Sequence, residues 1–298
     1  MNDRKFSLKA EHVLRCAQAA AGELGHGYVG CEHLLLAMLR EEDDAACRAL
    51  NASGIYESAV RERMIEKLGR GTAERSTVQG LTPHARCAVE LAVGEALQCP
   101  TILDNGFGGH RIEGIGDKHI PWIHNVKNTD MAIAIDDEDS QRLLRLFNCK
   151  EGQEYLKSLG MTDEQIEKFT WMGISGIANV LCCIKMAKYY ELTENDVVAT
   201  VLTDSAVMYQ SRIEELNEMH GAYNAHEAAM DHALHMLGLK TDNMMEMGYA
   251  ERKRVHNLKY YTWVEQQGMT VEDLNAQWYD TKNTWDAVHA QAKDLDEL

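Results

Sequence analysis

The sequence predicts a two-part fold: an all-α N-terminal module over residues 1–95, then over residues 96–298 an incomplete α/β parallel-sheet lobe with a helical C-terminal tail. Three observations carry this. Apolar residues recur at helical spacing through about residue 97. Beyond Pro100 come two short continuous apolar runs, Met131-Ala132-Ile133-Ala134-Ile135 and Val197-Val198-Ala199-Thr200-Val201-Leu202, in the style of buried parallel strands. From about Ala225 the chain is polar, rich in His and Trp, and patterned as helix to its end.

The first helix is marked by Val13, Leu14, Ala17, Ala20 and Ala21, and the second by Leu34, Leu35, Met38 and Leu39, before an acidic break at residues 41–44. A third run covers residues 45–50 and ends at Ser53-Gly54. Val60, Met64, Ile65 and Leu68 form the next stripe, stopped by Gly69-Arg70-Gly71. Thr82 is placed to cap a helix that has Pro83 at its first position and runs to about Leu97. An internal repeat is visible, since Phe6-Ser7-Leu8-Lys9-Ala10 recurs as Leu81-Thr82-Pro83-His84-Ala85, with Ala17 matching Ala92, and it stops near Ala96. In the second part, residues 174–190 form the longest apolar helix and residues 205–219 a helix after the second expected strand. Residues 255–263 are the amphipathic centre of the tail.

Composition narrows the function. With 47 acidic against 30 basic side chains and a net charge of −17, the chain repels a phosphate backbone, and Arg252-Lys253-Arg254 is too short a basic run to reverse this. Nucleic acid is therefore not an expected partner. No apolar run approaches the roughly 18 residues of a membrane span, so no membrane partner is expected. The start, Met-Asn-Asp-Arg-Lys-Phe, leads into an amphipathic helix, and a cytoplasmic location is expected. Eight cysteines without a Cys-x-x-Cys pair indicate neither a disulfide framework nor a zinc knuckle. His226-Glu227 begins a zincin motif, but position 230 is Met, and no metal site is read from the tail histidines.

Leu24-Gly25-His26-Gly27-Tyr28-Val29-Gly30-Cys31-Glu32-His33-Leu34-Leu35-Leu36, followed by Leu81-Thr82-Pro83, resembles the N-terminal repeat domain of Clp-family unfoldases, truncated after the first repeat. The resemblance implies an all-α module that docks adaptors or substrates, and a pocket in which the Glu32 carboxylate would pair with a guanidinium such as that of phosphoarginine. Read as a residue alone, Glu32 is also an acid favoured at a helix start. His33 reads as a satisfied core histidine. No Gly-x-x-x-x-Gly-Lys-Ser/Thr loop occurs in the sequence, so an ATPase is not expected of these residues.

Gly109-His110-Arg111-Ile112-Glu113-Gly114-Ile115-Gly116-Asp117-Lys118-His119-Ile120-Pro121, Gly173-Ile174-Ser175-Gly176-Ile177-Ala178 and Val201-Leu202-Thr203-Asp204-Ser205 are similar, in that order, to the C-terminal part of fold-type II pyridoxal-phosphate enzymes of the cysteine synthase and tryptophan synthase β class. By that resemblance Gly114, Ile115, Gly116, Ser175, Asp204 and Ser205 would contact pyridoxal 5'-phosphate, with the Ser175 hydroxyl beside the pyridine nitrogen. Read alone, Ser175 is also an N-cap for a helix over residues 176–190. The Schiff-base lysine and phosphate loop of that class have no counterpart in the sequence, since Lys118, Lys127, Lys185 and Lys188 lie outside any motif that matches that lysine's and residues 106–109 read as a surface turn. No catalytic residue is assigned, and turnover by this chain alone is not expected. Three arrangements follow: a Clp-type docking element with the enzyme lobe as passenger, a residual enzyme completed by a separate chain or within a homo-oligomer, or a join made by gene rearrangement. Glu95-Ala96 suits both families at the seam.

Overall fold

The computed structural model describes residues 8–41, 45–72, 78, 80–82, 85, 91–194 and 196–291. It divides into two compact units, residues Met1–Glu90 with Asn275–Leu298, and residues Leu91–Leu274. A boundary at residue 95 thus falls inside the second unit.

In the first unit, helices α1 (Leu8–Leu24), α2 (Cys31–Leu39), α3 (Ala45–Ala52) and α4 (Glu57–Leu68) follow the expected stripes. Ala17 and Ala21 of α1 pack with Leu34 and Ala37 of α2 and with Ala85, while Ala20, Leu24, Leu36 and Met64 form a second cluster. Because α2 packs against both α1 and α4, its buried positions are His33, Leu34, Leu36, Ala37 and Leu39, and Leu35 and Met38 stay half-buried. Two glycines close the turn after α1. Gly25 has φ +75°, and a Cβ there would lie 2.2 Å from the Gly71 carbonyl oxygen, so the two backbones approach as only glycine permits. Leu81 pairs with Val29 in a parallel bridge, and the Ala85 N–H donates to Thr82 Oγ1 at 3.1 Å, the bond expected of a capping Thr82. Pro83 and Phe6-Ser7 lie outside the described residues.

The second unit corrects four expectations. Residues Ala92–Ala96, expected as the end of a helix, form strand β1, paired in parallel with β2 (Met131–Ile135). Gly94 decides this: a Cβ there would meet Cys182 Sγ at 2.9 Å, so the strand lies flat against a helix. The sheet is mixed, not parallel, because β3 (Met244–Glu246) adds antiparallel to β2, and β3 interrupts a tail expected to be wholly helical. Residues 197–202, expected as a buried strand, join no sheet. Val197 and Val201 are 85% and 67% exposed, and the Asn179 side-chain amide donates to the Val201 carbonyl at 3.0 Å.

Strand β2 is fully buried because both faces are covered: Met131, Ile133 and Ile135 enter one apolar cluster and Ala132 another. Helices α5 (Thr101–Asp104), α6 (Asp137–Asn148), α7 (Lys150–Ser158), α8 (Asp163–Phe169) and α9 (Ile174–Tyr189) follow β1 and β2. Glu95 at the end of β1 caps α5, accepting from the Ile102 and Leu103 N–H groups at 2.9 and 2.8 Å. Helices α10 (Gln210–His220), α11 (Ala225–His232) and α12 (Tyr249–Lys259) complete this unit's helical layers, and α13 (Val271–Tyr279) and α14 (Trp285–Ala290) end the chain's described elements. Among the described residues, no single helix is long and apolar enough to cross a membrane.

Candidate functional site

In the first unit the chemistry gathers at the start of α2. Gly30 is its N-cap, Glu32 its second residue and His33 its third. His33 is 1% exposed, and its Nδ1 accepts from the Gly30 N–H at 2.9 Å, the return half of a capping box. One proton arrangement satisfies the whole relay: His33 Nε2–H donates to His26 Nδ1 at 2.8 Å, and His26 Nε2–H donates to the Gly69 carbonyl at 3.1 Å. Glu32 Oε1 lies 3.1 Å from the same His33 Nδ1. That nitrogen sits between an N–H donor and a carboxylate and can serve one at a time. When Nδ1 instead carries a proton it donates to Glu32, and that bond first, with the Glu32 backbone N–H, holds the carboxylate below the usual range against partial burial. Its carboxylate is therefore charged at neutral pH and 36% exposed, available to a cationic ligand.

In the second unit the sequence-chosen residues split into two groups. Gly114, Ile115 and Gly116 line a cavity of about 830 Å³ together with Glu95, His110 and Lys118. Gly114 and Gly116 have φ of +93° and +81°, and His110 Nε2 is 2.5 Å from the Gly116 carbonyl. Ser175, Asp204 and Ser205 do not line that cavity. Gly114 joins the groups, since a Cβ there would stand 3.4 Å from Ser175 Cβ. The Ser175 hydroxyl is 3% exposed and 3.2 Å from Thr203 Oγ1. The N-cap of α9 is Gly173, so Ser175, as the second helical residue, does not cap the helix. The Gly173 N–H donates to the Asp204 carbonyl at 3.0 Å, and the Tyr209 hydroxyl donates to the Asp204 carboxylate, which with burial pushes the Tyr209 phenol up. Ser205 contributes its carbonyl to the Met208 N–H at 3.2 Å and opens the 3₁₀ turn Ala206–Tyr209.

Tested against pyridoxal 5'-phosphate, these residues fit one edge of the group. Gly114 and Ser175 offer a close-approach face and a hydroxyl, but Ser175 is already paired with Thr203, and Glu95 and Asp117 in the cavity lining oppose a phosphate. Lys185 is 2% exposed and donates to the Ala134 and Asp242 carbonyls at 3.1 and 2.8 Å, so its amine is committed to the fold. The residues do not fit the whole group. Sequence reasoning missed Thr203, Tyr209, His26 and Gly69. Thr203 adjoins the chosen Asp204 and Tyr209 lies five residues beyond it, which was a usable signal; Gly69, 43 residues from His26, left none.

Residues 5–101 match the Clp repeat (R) N-terminal domain family, a range that takes in β1. The chain is 36% identical over 92 residues to the negative regulator of genetic competence ClpC/MecB of Bacillus subtilis (strain 168), covering 31% of this chain and 11% of that protein. It is 35% identical over 92 residues to the chaperone protein ClpB of Oceanobacillus iheyensis, with the same coverage, and 40% identical over 67 residues, 22% of this chain and 7% of the relative, to the chloroplastic chaperone protein ClpC2 of Oryza sativa subsp. japonica. The matched part spans about a tenth of the length of these curated relatives.

Proposed function

We propose that this chain is a docking protein of a Clp protease system, in which the N-terminal unit recruits an adaptor or substrate and Glu32 is the contact for a guanidinium or phosphoarginine group. The observation supporting this reading is the half-exposed, charged Glu32 carboxylate at the first turn of α2, within residues that match the Clp repeat domain. Binding of a Clp adaptor or an arginine-phosphorylated peptide by the full chain is expected to fall at least about tenfold on Glu32→Ala, the loss of one charge-assisted hydrogen bond. Unchanged affinity would remove Glu32 from the interface.

A second reading, motivated by the nearness of Gly114 to Ser175, where an added Cβ would stand 3.4 Å from the Ser175 Cβ, is that the second unit is one half of a pyridoxal-phosphate site of cysteine synthase type, completed by another chain or copy that brings the amine and the phosphate cradle. Mixing with such a partner is then expected to create a visible aldimine band that borohydride abolishes. A mixture that stays colourless counts against it.

A further inference from the structure

On α1, His12 and Cys16 stand one helical turn apart on the same face. Glu41, just past the end of α2, reaches that face. The His12 Nε2 to Glu41 Oε1 distance is 2.9 Å, His12 Nε2 to Cys16 Sγ is 3.5 Å, and Cys16 Sγ to Glu41 Oε1 is 3.8 Å. Tetrahedral zinc, with bonds of about 2.0–2.1 Å to nitrogen or oxygen and about 2.3 Å to sulfur, sets its ligand atoms roughly 3.3–3.6 Å apart. The three observed edges match that triangle to within about half an ångström, which side-chain rotation supplies.

We propose that His12, Cys16 and Glu41 form a zinc-type metal site that clips α1 to the chain leaving α2. The donor set of imidazole, thiolate and carboxylate suits a borderline-soft divalent ion and not magnesium or calcium, which take oxygen ligands. His12 is 52% exposed, so an ion reaches the triangle from solvent and keeps a position for water. Glu41 is held in place by its backbone N–H, which donates to the Met38 carbonyl at 3.3 Å. The neighbouring Arg40 does not compete for Glu41, because its guanidinium is taken by Glu23 and Glu57 at 3.0 and 3.3 Å. Spacing rules overlook the site because Glu41 lies 25 residues beyond Cys16. It involves none of the residues assigned to docking.

The test is a cobalt(II) titration of the reduced full chain. One equivalent is expected to produce a thiolate-to-cobalt charge-transfer band in the near ultraviolet, and zinc is expected to bleach it. The band should vanish in Cys16→Ser. Affinity should fall at least about tenfold in His12→Ala and in Glu41→Gln, as loss of a ligand costs no less than loss of the groups behind one. Both of these positions are on the surface, so their far-ultraviolet circular dichroism serves as the folding check. No charge-transfer band, a band that persists in Cys16→Ser, or unchanged affinity in the two surface variants would each overturn the proposal. Adaptor binding lost on Glu32→Ala but kept in His12→Ala separates this site from the docking reading.

Discussion

Helices α2 and α9 begin with the same device built in two ways. Each has a glycine N-cap with no side-chain cap, and in each a carboxylate fills the place a cap side chain would take: a Cβ on Gly30 would lie 2.1 Å from Glu32 Oε1, and one on Gly173 would lie 2.0 Å from Asp204 Oδ1. A carboxylate is favoured there by the helix dipole and the open N–H groups. At α2 the acid comes from two residues along, on a long side chain. At α9 it comes from 31 residues along, on a short side chain tied back by Tyr209 and by its own carbonyl. The first arrangement can swing outward to meet a ligand. The second can only hold the fold.

Acid should separate the two units most strongly. His124 and His256 of the second unit are pushed down to about 4, first by burial and then by Lys259. Groups with depressed folded values favour folding above pH 6.5 and lose that contribution as pH falls toward 4. For His256, 3% exposed and 3.1 Å from the Leu274 carbonyl, this amounts to about 2–3 kcal/mol. Glu32 is lowered as well, so its contribution survives until pH falls below the ordinary carboxylate range. Hydrogen exchange between pH 6.5 and 4 should therefore show amides of the second unit opening first. Equal loss in both units would break the comparison.

Gly173→Ala is expected to destabilise the second unit by about 1–3 kcal/mol, because the new methyl meets Asp204 and, at 2.8 Å, the Tyr209 ring, neither free to move. Urea unfolding checks this. Ser175→Ala, losing one buried hydroxyl pair, should cost about 1 kcal/mol. Gly30→Ala should cost less than about 1 kcal/mol, since Glu32 can rotate away. A Gly30→Ala variant as unstable as Gly173→Ala would show that Glu32 is as fixed as Asp204.

The same contrast explains what could be read early. Two apolar runs of one kind, Met131–Ile135 and residues 197–202, ended differently: the first is covered on both faces, and the second is exposed but for Val198, with its Val201 carbonyl held by a side chain. Pattern reports that a segment can be buried, not whether a neighbour arrives to bury it. Ala92–Ala96 shows the reverse error, because two alanines and a glycine fit a helical stripe until the neighbouring strand claims them. The triangle of His12, Cys16 and Glu41 left only a His and a Cys one turn apart as a trace in the sequence.

Sequence alone determined the four helices of the first unit, the capping role of Thr82 and the placing of Glu32 at a helix start, because each depends on residues within a turn or two of one another. Only the tertiary structure decided the mixed sheet, the fate of residues 92–96 and 197–202, the carboxylate behind Gly173 and the meeting of α1 with Glu41. These depend on which distant segments reach a surface first and cover it, and no local pattern of side chains carries that information.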